Sequence, residues 1–176
     1  MGFLSTVLYN IKQMKKANKL KSMSIEDILA LDDDTLYDAV GCVCEDAVDS
    51  VSDITAPELS NVQRFVYSLI RFEAEVNNGG LCQFFVNSSS ECAPYISAAM
   101  QAINATELKN LFDNFIAENK IDVNDLSSFK IDSLEQYEEQ AERFDFDSFD
   151  GKFYESYDFH QQIIDYARKN IEQIIK

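Results

Sequence analysis

Asn77-Asn78-Gly79-Gly80-Leu81-Cys82-Gln83-Phe84-Phe85-Val86-Asn87 is the stretch whose reading decides the fold. Upstream of it, Leu59, Val62, Phe65, Val66, Leu69, Phe72 and Val76 recur at intervals of three and four, the spacing of one buried helical face. That helix is predicted to end at Asn77, with Asn78 or Gly79 taking the left-handed conformation that closes a helix at small steric cost. A second helix starts almost at once. It places Gln83 and Asn87 four residues apart on one face and turns Phe84 and Phe85 inward. Asn78, Gln83 and Asn87 are then expected to tie the two helices together through hydrogen bonds to backbone groups left free at the break. A polar pocket lined by the same amides is the enzymatic alternative.

Helical periodicity extends in both directions from this corner. Leu36, Tyr37, Val40, Val43, Cys44, Ala47, Val48 and Val51 form the clearest amphipathic stripe. Ser24 is predicted to cap a short helix before it, and Asp32 or Asp34 to cap the stripe itself. Thr55 or Ser60 opens the helix that leads to the corner, with Pro57 accommodated in its first turn. Downstream, the Ser88-Ser89-Ser90-Glu91 run caps a helix through Ile103, and Thr106 caps another with Leu108, Leu111, Phe112, Phe115 and Ile116 inward. A polar linker over 118–129 follows. Ser133 and Gln136 make a capping-box pattern, and residues 157–175 read as one long terminal helix with Ile163, Ile164, Tyr166, Ala167, Ile171 and Ile174 as its stripe.

Five glycines and two prolines in 176 residues leave few places to break helices, and 46% apolar content with 13 Phe supports a packed core. The expected fold is all-α, a single-domain compact multi-helix bundle. Its expected organisation is a basic amphipathic N-terminal helix over residues 1–23 and an acidic all-helical domain over 24–176. The N-terminal helix carries an apolar stripe of Phe3, Leu4, Val7, Leu8, Ile11 and Met14, and its lysines are expected to dock it on the chain's own acidic body.

The segment Asn77-Asn78-Gly79-Gly80 followed by Gln83-Phe84-Phe85 and Asn87 resembles the motif of the DNA-mimic protein family, a group of acidic helical bacterial proteins. Leu36 to Val40 and Arg64 to Val76 resemble that family's upstream helices, so the likeness is drawn over residues 25–120. It implies a helical fold in which Asn77, Asn78, Gly79, Gly80, Gln83, Phe84, Phe85 and Asn87 are structural. It further implies a DNA-binding protein as partner, competition for that partner's DNA site, and a homodimer.

Charge agrees in sign. The chain holds 15 basic and 31 acidic residues, a formal charge of −16. Lys12, Lys15, Lys16, Lys19 and Lys21 lie in the first 24 residues, so the remainder carries −21. Such a body repels nucleic acid and attracts basic surfaces. The densest field is Glu135, Glu138, Glu139, Glu142, Asp145, Asp147, Asp150, Glu155 and Asp158, opposed only by Arg143 and Lys152. Helical carboxylates three and four residues apart are separated by roughly 5–6 Å, not far from the spacing of adjacent phosphates on a DNA strand. These nine acids are the expected partner-binding surface; the plainer reading is a solvated face that keeps the protein soluble.

Other chemistry finds little footing. An EF-hand loop opening at Asp145 would meet Phe149, Asp150 and Ser156 where it needs an oxygen ligand, glycine and glutamate. Cys42 and Cys44 point to different helix faces, His160 stands alone, and neither a metal nor another cofactor is expected. Cys42, Cys44, Cys82 and Cys92 show no disulfide spacing, which fits a reduced, cytoplasmic setting. No membrane span is expected. The chain therefore reads as a non-enzymatic acidic interaction protein, with an immunity or antitoxin protein against a basic toxin as the alternative.

Overall fold

The computed structural model describes residues 3–156 and 158–176, with the backbone alone over 3–11. Among the described residues there are ten α-helices, two 3-10 turns and no strand, so the fold is all-α. The helices are α1 (Phe3–Lys21), α2 (Ile25–Leu29), α3 (Asp33–Val51), α4 (Asn61–Val86), α5 (Ala93–Ala102), α6 (Thr106–Asn119), α7 (Leu134–Ala141), α8 (Phe146–Tyr154), α9 (Phe159–Lys169) and α10 (Ile171–Ile174). They divide into two compact units, one of Met1–Tyr67 with Ile164–Lys176, the other of Ser68–Ile163.

The first unit is built on α3, whose Leu36, Val40, Val43, Cys44 and Val48 are buried. Helix α1 packs on α3. Ala17 and Leu20 are buried, and Lys16 and Lys21 reach Asp38 and Asp46 at 2.9 and 2.6 Å. These partly exposed pairs are worth little individually, up to about 1 kcal/mol each, but they match the charge logic of the docked reading. The side chains from Phe3 to Ile11, which carry most of the predicted α1 stripe, lie outside the described residues. Ser24 and Asp32 cap α2 and α3, accepting from the Asp27 and Thr35 amides at 3.1 and 2.9 Å.

Ser60 caps α4, and its partner is reciprocal: the Gln63 amide donates to Ser60 Oγ while the Ser60 amide donates to Gln63 Oε1. Pro57 lies in the loop before this cap, outside the helix where it was expected. Two buried polar residues on α4 explain the loop. Arg64 donates to Ile54 O, Ala56 O and Asn61 Oδ1 at 2.7, 2.9 and 2.8 Å, and Gln63 donates to Ile174 O at 3.0 Å. With Gln63 and Arg64 turned inward, Phe65 is only half-buried instead of belonging to the core stripe.

The terminal helix is broken at Asn170, where one continuous helix was expected. Asn170 Nδ2 donates to Tyr166 O at 2.8 Å, offering the backbone a local alternative to helix continuation. The predicted stripe is otherwise buried, with Tyr166 half-exposed. Arg168 fastens the end of α2 to the start of α3, donating to Leu29 O, Leu31 O and Asp33 Oδ1 at 2.9, 2.7 and 2.7 Å.

The second unit has a phenylalanine core. Phe72 meets Phe84, Phe112, Phe149, Phe153 and Phe159 edge-on, with centroids from 5.0 to 6.5 Å apart. Phe85 lies on Phe129 at 4.9 Å and Phe115 on Phe146 at 5.3 Å. Such pairs add about 0.5–1.5 kcal/mol each beyond their buried area. Helix α6 begins at Thr106 with Ala105 in the cap position, so Thr106 is the first helical residue and not the cap. Leu108, Phe112 and Phe115 are buried and Leu111 and Ile116 half-buried. The polar linker after α6 ends in a 3-10 turn that buries Phe129.

Candidate functional site

Helix α4 loses helical geometry at Gly79 and Gly80. Gly79 has an extended φ of −163°, which any residue adopts, whereas Gly80 has φ +78° and ψ −179°. The conformation that requires glycine thus falls at Gly80, not at Asn78 or Gly79, and it is not the left-handed helical one. The reason lies in α8. Asp150 Oδ1 accepts from the Leu81 amide at 2.8 Å, capping the short helix that starts there, and a Cβ on Gly80 would collide with Asp150 Oδ2. Carbonyls freed by the break are taken up from the same side: Tyr154 O–H donates to Val76 O at 2.8 Å and Tyr137 O–H to Gly79 O at 3.4 Å.

Where the sequence predicts bonds to free backbone groups, the Gln83 and Asn87 amides instead close on a carboxylate. Gln83 Nε2 and Asn87 Nδ2 both donate to Glu75 Oε2 at 2.8 Å, and Ser89 Oγ donates to Glu75 Oε1 at 2.7 Å. Burial alone would raise the Glu75 carboxyl, but the bonds from Ser89, Gln83 and Asn87 together hold it below its ordinary value. Phe84 and Phe85 are buried as predicted, while Asn77 and Asn78 are exposed and Asn78 takes no part in the cradle. Two clefts open on the second unit: one of about 760 Å³ is lined by Asn104, Glu107, Glu155 and Asp158 among others, and one of about 380 Å³ is lined by Val123 to Ser127 together with Phe85, Val86, Ser88 and Ser90 beside the cradle.

Eight of the nine segment acids, Glu135, Glu138, Glu139, Glu142, Asp145, Asp147, Glu155 and Asp158, are exposed. Asp150 is the exception. It is half-buried against the corner, and burial pushes its carboxyl above the ordinary range despite the Leu81 bond, with the charge of Asp147 adding to the rise. Asp145 caps α8 through the Ser148 amide at 3.1 Å. Helix α7 buries no residue at all. Arg143 is drawn toward aromatic surface, its guanidinium 4.9 Å from the Phe144 centroid and 5.5 Å from that of Phe129.

His160 lies close to an acid that its sequence surroundings do not reveal. Its Nδ1 is 3.1 Å from Oε1 of Glu73, a buried α4 carboxylate 87 residues away. Among the described residues no group of three or more His, Cys, Asp or Glu side chains converges as a metal site, and all four cysteines are free and buried. No helix among them is long and apolar enough to cross a membrane.

The family model of DMP19-like proteins matches residues 57–170. The chain belongs to the DMP19-like protein family. No curated protein and no solved structure matches it. The DMP19-like region therefore includes the Gly79-Gly80 corner, the Glu75 cradle and the whole acidic segment. It begins later and runs further than the 25–120 span suggested by the motif, taking in α7, α8 and α9. Helices α1 to α3 lie outside the DMP19-like match. Three residues organise that region and were not singled out for this role in the sequence: Glu75, Tyr137 and Tyr154. Only helical phase offered a signal for Asp150, which shares the 146, 149, 150, 153 stripe with three buried phenylalanines.

Proposed function

We propose that this chain is a non-enzymatic interaction protein whose acidic α7–α8 surface occupies the DNA-binding face of a basic protein, in the manner of a DNA mimic. The observation that carries this reading is α7 itself. A helix with no buried residue contributes almost nothing to a core, and Glu135, Glu138, Glu139 and Glu142 recur along it at spacings that share one face. Membership of the DMP19-like family supports the reading, since the match covers this segment in full. Competition for a DNA site follows from charge: a partner surface built for phosphates accepts a fixed row of carboxylates, and the attraction weakens as salt screens it.

The test is capture on the immobilised full chain at low salt, with elution by a salt gradient and, separately, by duplex DNA. Recovery of a DNA-binding protein released by both supports mimicry. Charge reversal of Glu138, Glu139 and Glu142 to lysine takes the formal charge from −16 to −10 and is expected to abolish capture while leaving the melting temperature nearly unchanged. Undiminished capture by that variant would sink the proposal, and recovery of a basic toxin in place of a DNA-binding protein would move the function to immunity.

A further inference from the structure

Helix α7 cannot hold itself. Eight residues are too few for a helix to persist alone in water, its acids repel one another at spacings of three and four, and Leu134 is 71% exposed with no α7 residue buried. What fixes it is polar and comes from one side. Gln136 closes the N-terminus, its amide donating to Ser133 Oγ at 3.3 Å and its Oε1 accepting from the Asp132 amide at 2.6 Å. Tyr137 reaches Gly79 O by a long bond of 3.4 Å, and Gln140 Nε2 donates to Ser128 O at 2.7 Å. Just past the helix, Arg143 Nη1 donates to the same Ser128 O at 3.3 Å while its guanidinium lies over Phe144 and Phe129. Tyr137 and Gln140 are three residues apart, which puts them on one face and leaves Glu135, Glu138, Glu139 and Glu142 on the other.

We infer that Tyr137, Gln140 and Arg143 are positioning residues of the partner surface: they fix the rotation of α7 about its axis, so that recognition reads the spacing of its carboxylates as well as their charge. The inference rests on the proposed function. It also specifies the partner's contact element as a helix bearing arginines three and four residues apart, because a cation row of that pitch meets an acid row of the same pitch without reordering either side. A flexible polycation of equal charge gains the Coulomb attraction and loses conformational freedom in return.

The experiment keeps the charge constant. The Tyr137→Phe/Gln140→Ala variant of the full chain is compared with the natural chain against two synthetic probes: a helical peptide with four arginines on one face, and a glycine-interspersed peptide with four arginines. The natural chain is expected to prefer the helical probe by tenfold or more. In the variant the preference is expected to fall to within twofold, with amides of 134–142 exchanging at least tenfold faster and those of α6 unchanged. A variant that keeps its preference, or whose α7 amides exchange as before, overturns the inference and leaves the proposed surface intact. A natural chain without preference overturns the inference as well; binding of both probes that survives charge reversal of Glu138, Glu139 and Glu142 overturns the surface itself. If the double variant does not fold, Tyr137→Phe alone, which keeps the ring, is read by the same two measurements.

Discussion

Replacing Gly80 by alanine tests the corner most directly. At φ +78° and ψ −179° Gly80 occupies a region that L-residues scarcely visit, which costs about 1–3 kcal/mol by itself. The new Cβ would also displace Asp150 from the Leu81 amide, and loss of a helix cap adds about 1 kcal/mol. The sum is a destabilisation of about 2–4 kcal/mol, measured by urea unfolding followed by circular dichroism. Two controls sharpen it. Gly79→Ala has an unstrained φ of −163° and meets the Gln83 side chain, colliding with its amide end and pressing on its Cβ, so its main cost should be about 1 kcal/mol, the value of one disturbed hydrogen bond. Gly151→Ala enters open space in α8 and should stabilise by up to about 1 kcal/mol through helix propensity. In an Asp150→Ala background the collision is gone, and the Gly80→Ala cost should drop by about 1 kcal/mol. Should Gly80→Ala prove no worse than Gly79→Ala, the account of the corner is refuted.

Other outcomes follow from the same contacts. Arg64→Ala strands the Ile54 and Ala56 carbonyls that it now serves and should cost about 3 kcal/mol; a loss under about 1 kcal/mol by denaturant titration would contradict the clamp. Glu75 is held below its ordinary 4.5, so its contribution is fully present above that pH and is lost as pH falls through the lower folded value. Glu75→Gln should flatten this acid limb in a stability-versus-pH series. Asp150 has the opposite sign: held above its ordinary 3.8, its ionisation costs stability as pH rises through the raised folded value. Asp150→Asn, whose Oδ1 still accepts from Leu81, should therefore be no less stable than the natural chain at pH 7. Burial pushes Cys44 and Cys92 up to about 12 and Cys82 to about 11. A thiol reagent at neutral pH should thus find no fast-reacting cysteine until the chain unfolds.

The features legible in the sequence are those carried by residues within one or two turns of each other. Ser24, Asp32 and Ser133 as caps depend on neighbours three or four positions away, and the structure has them, although Gln136 Oε1 closes on the Asp132 amide and not on that of Ser133; the break expected at Asn77 falls two residues later, at Gly79 and Gly80. Local reasoning failed where a distant group decides. The glycine in the constrained conformation is chosen by Asp150, which bonds the Leu81 amide from 69 residues along the chain. Gln83 and Asn87 were rightly set on one face, but their acceptor, Glu75, lies across the break they were thought to bridge with backbone bonds. His160 looked isolated because Glu73 is 87 residues away. Eight of the nine acids read as exposed are so; the ninth, Asp150, betrayed itself only by sharing its helical phase with Phe146, Phe149 and Phe153.

The two phenols at the break have a spectroscopic consequence. With eight tyrosines and no tryptophan, the chain's intrinsic emission is that of tyrosine alone. A phenol whose proton is shared with a peptide carbonyl emits weakly, and Tyr154 is in that state on Val76 O at 2.8 Å. Loosening the corner returns that proton to water and brightens the ring. A Tyr154→Phe chain supplies the dark reference, so opening of the Gly79-Gly80 break can be followed in real time by ultraviolet light, without a label.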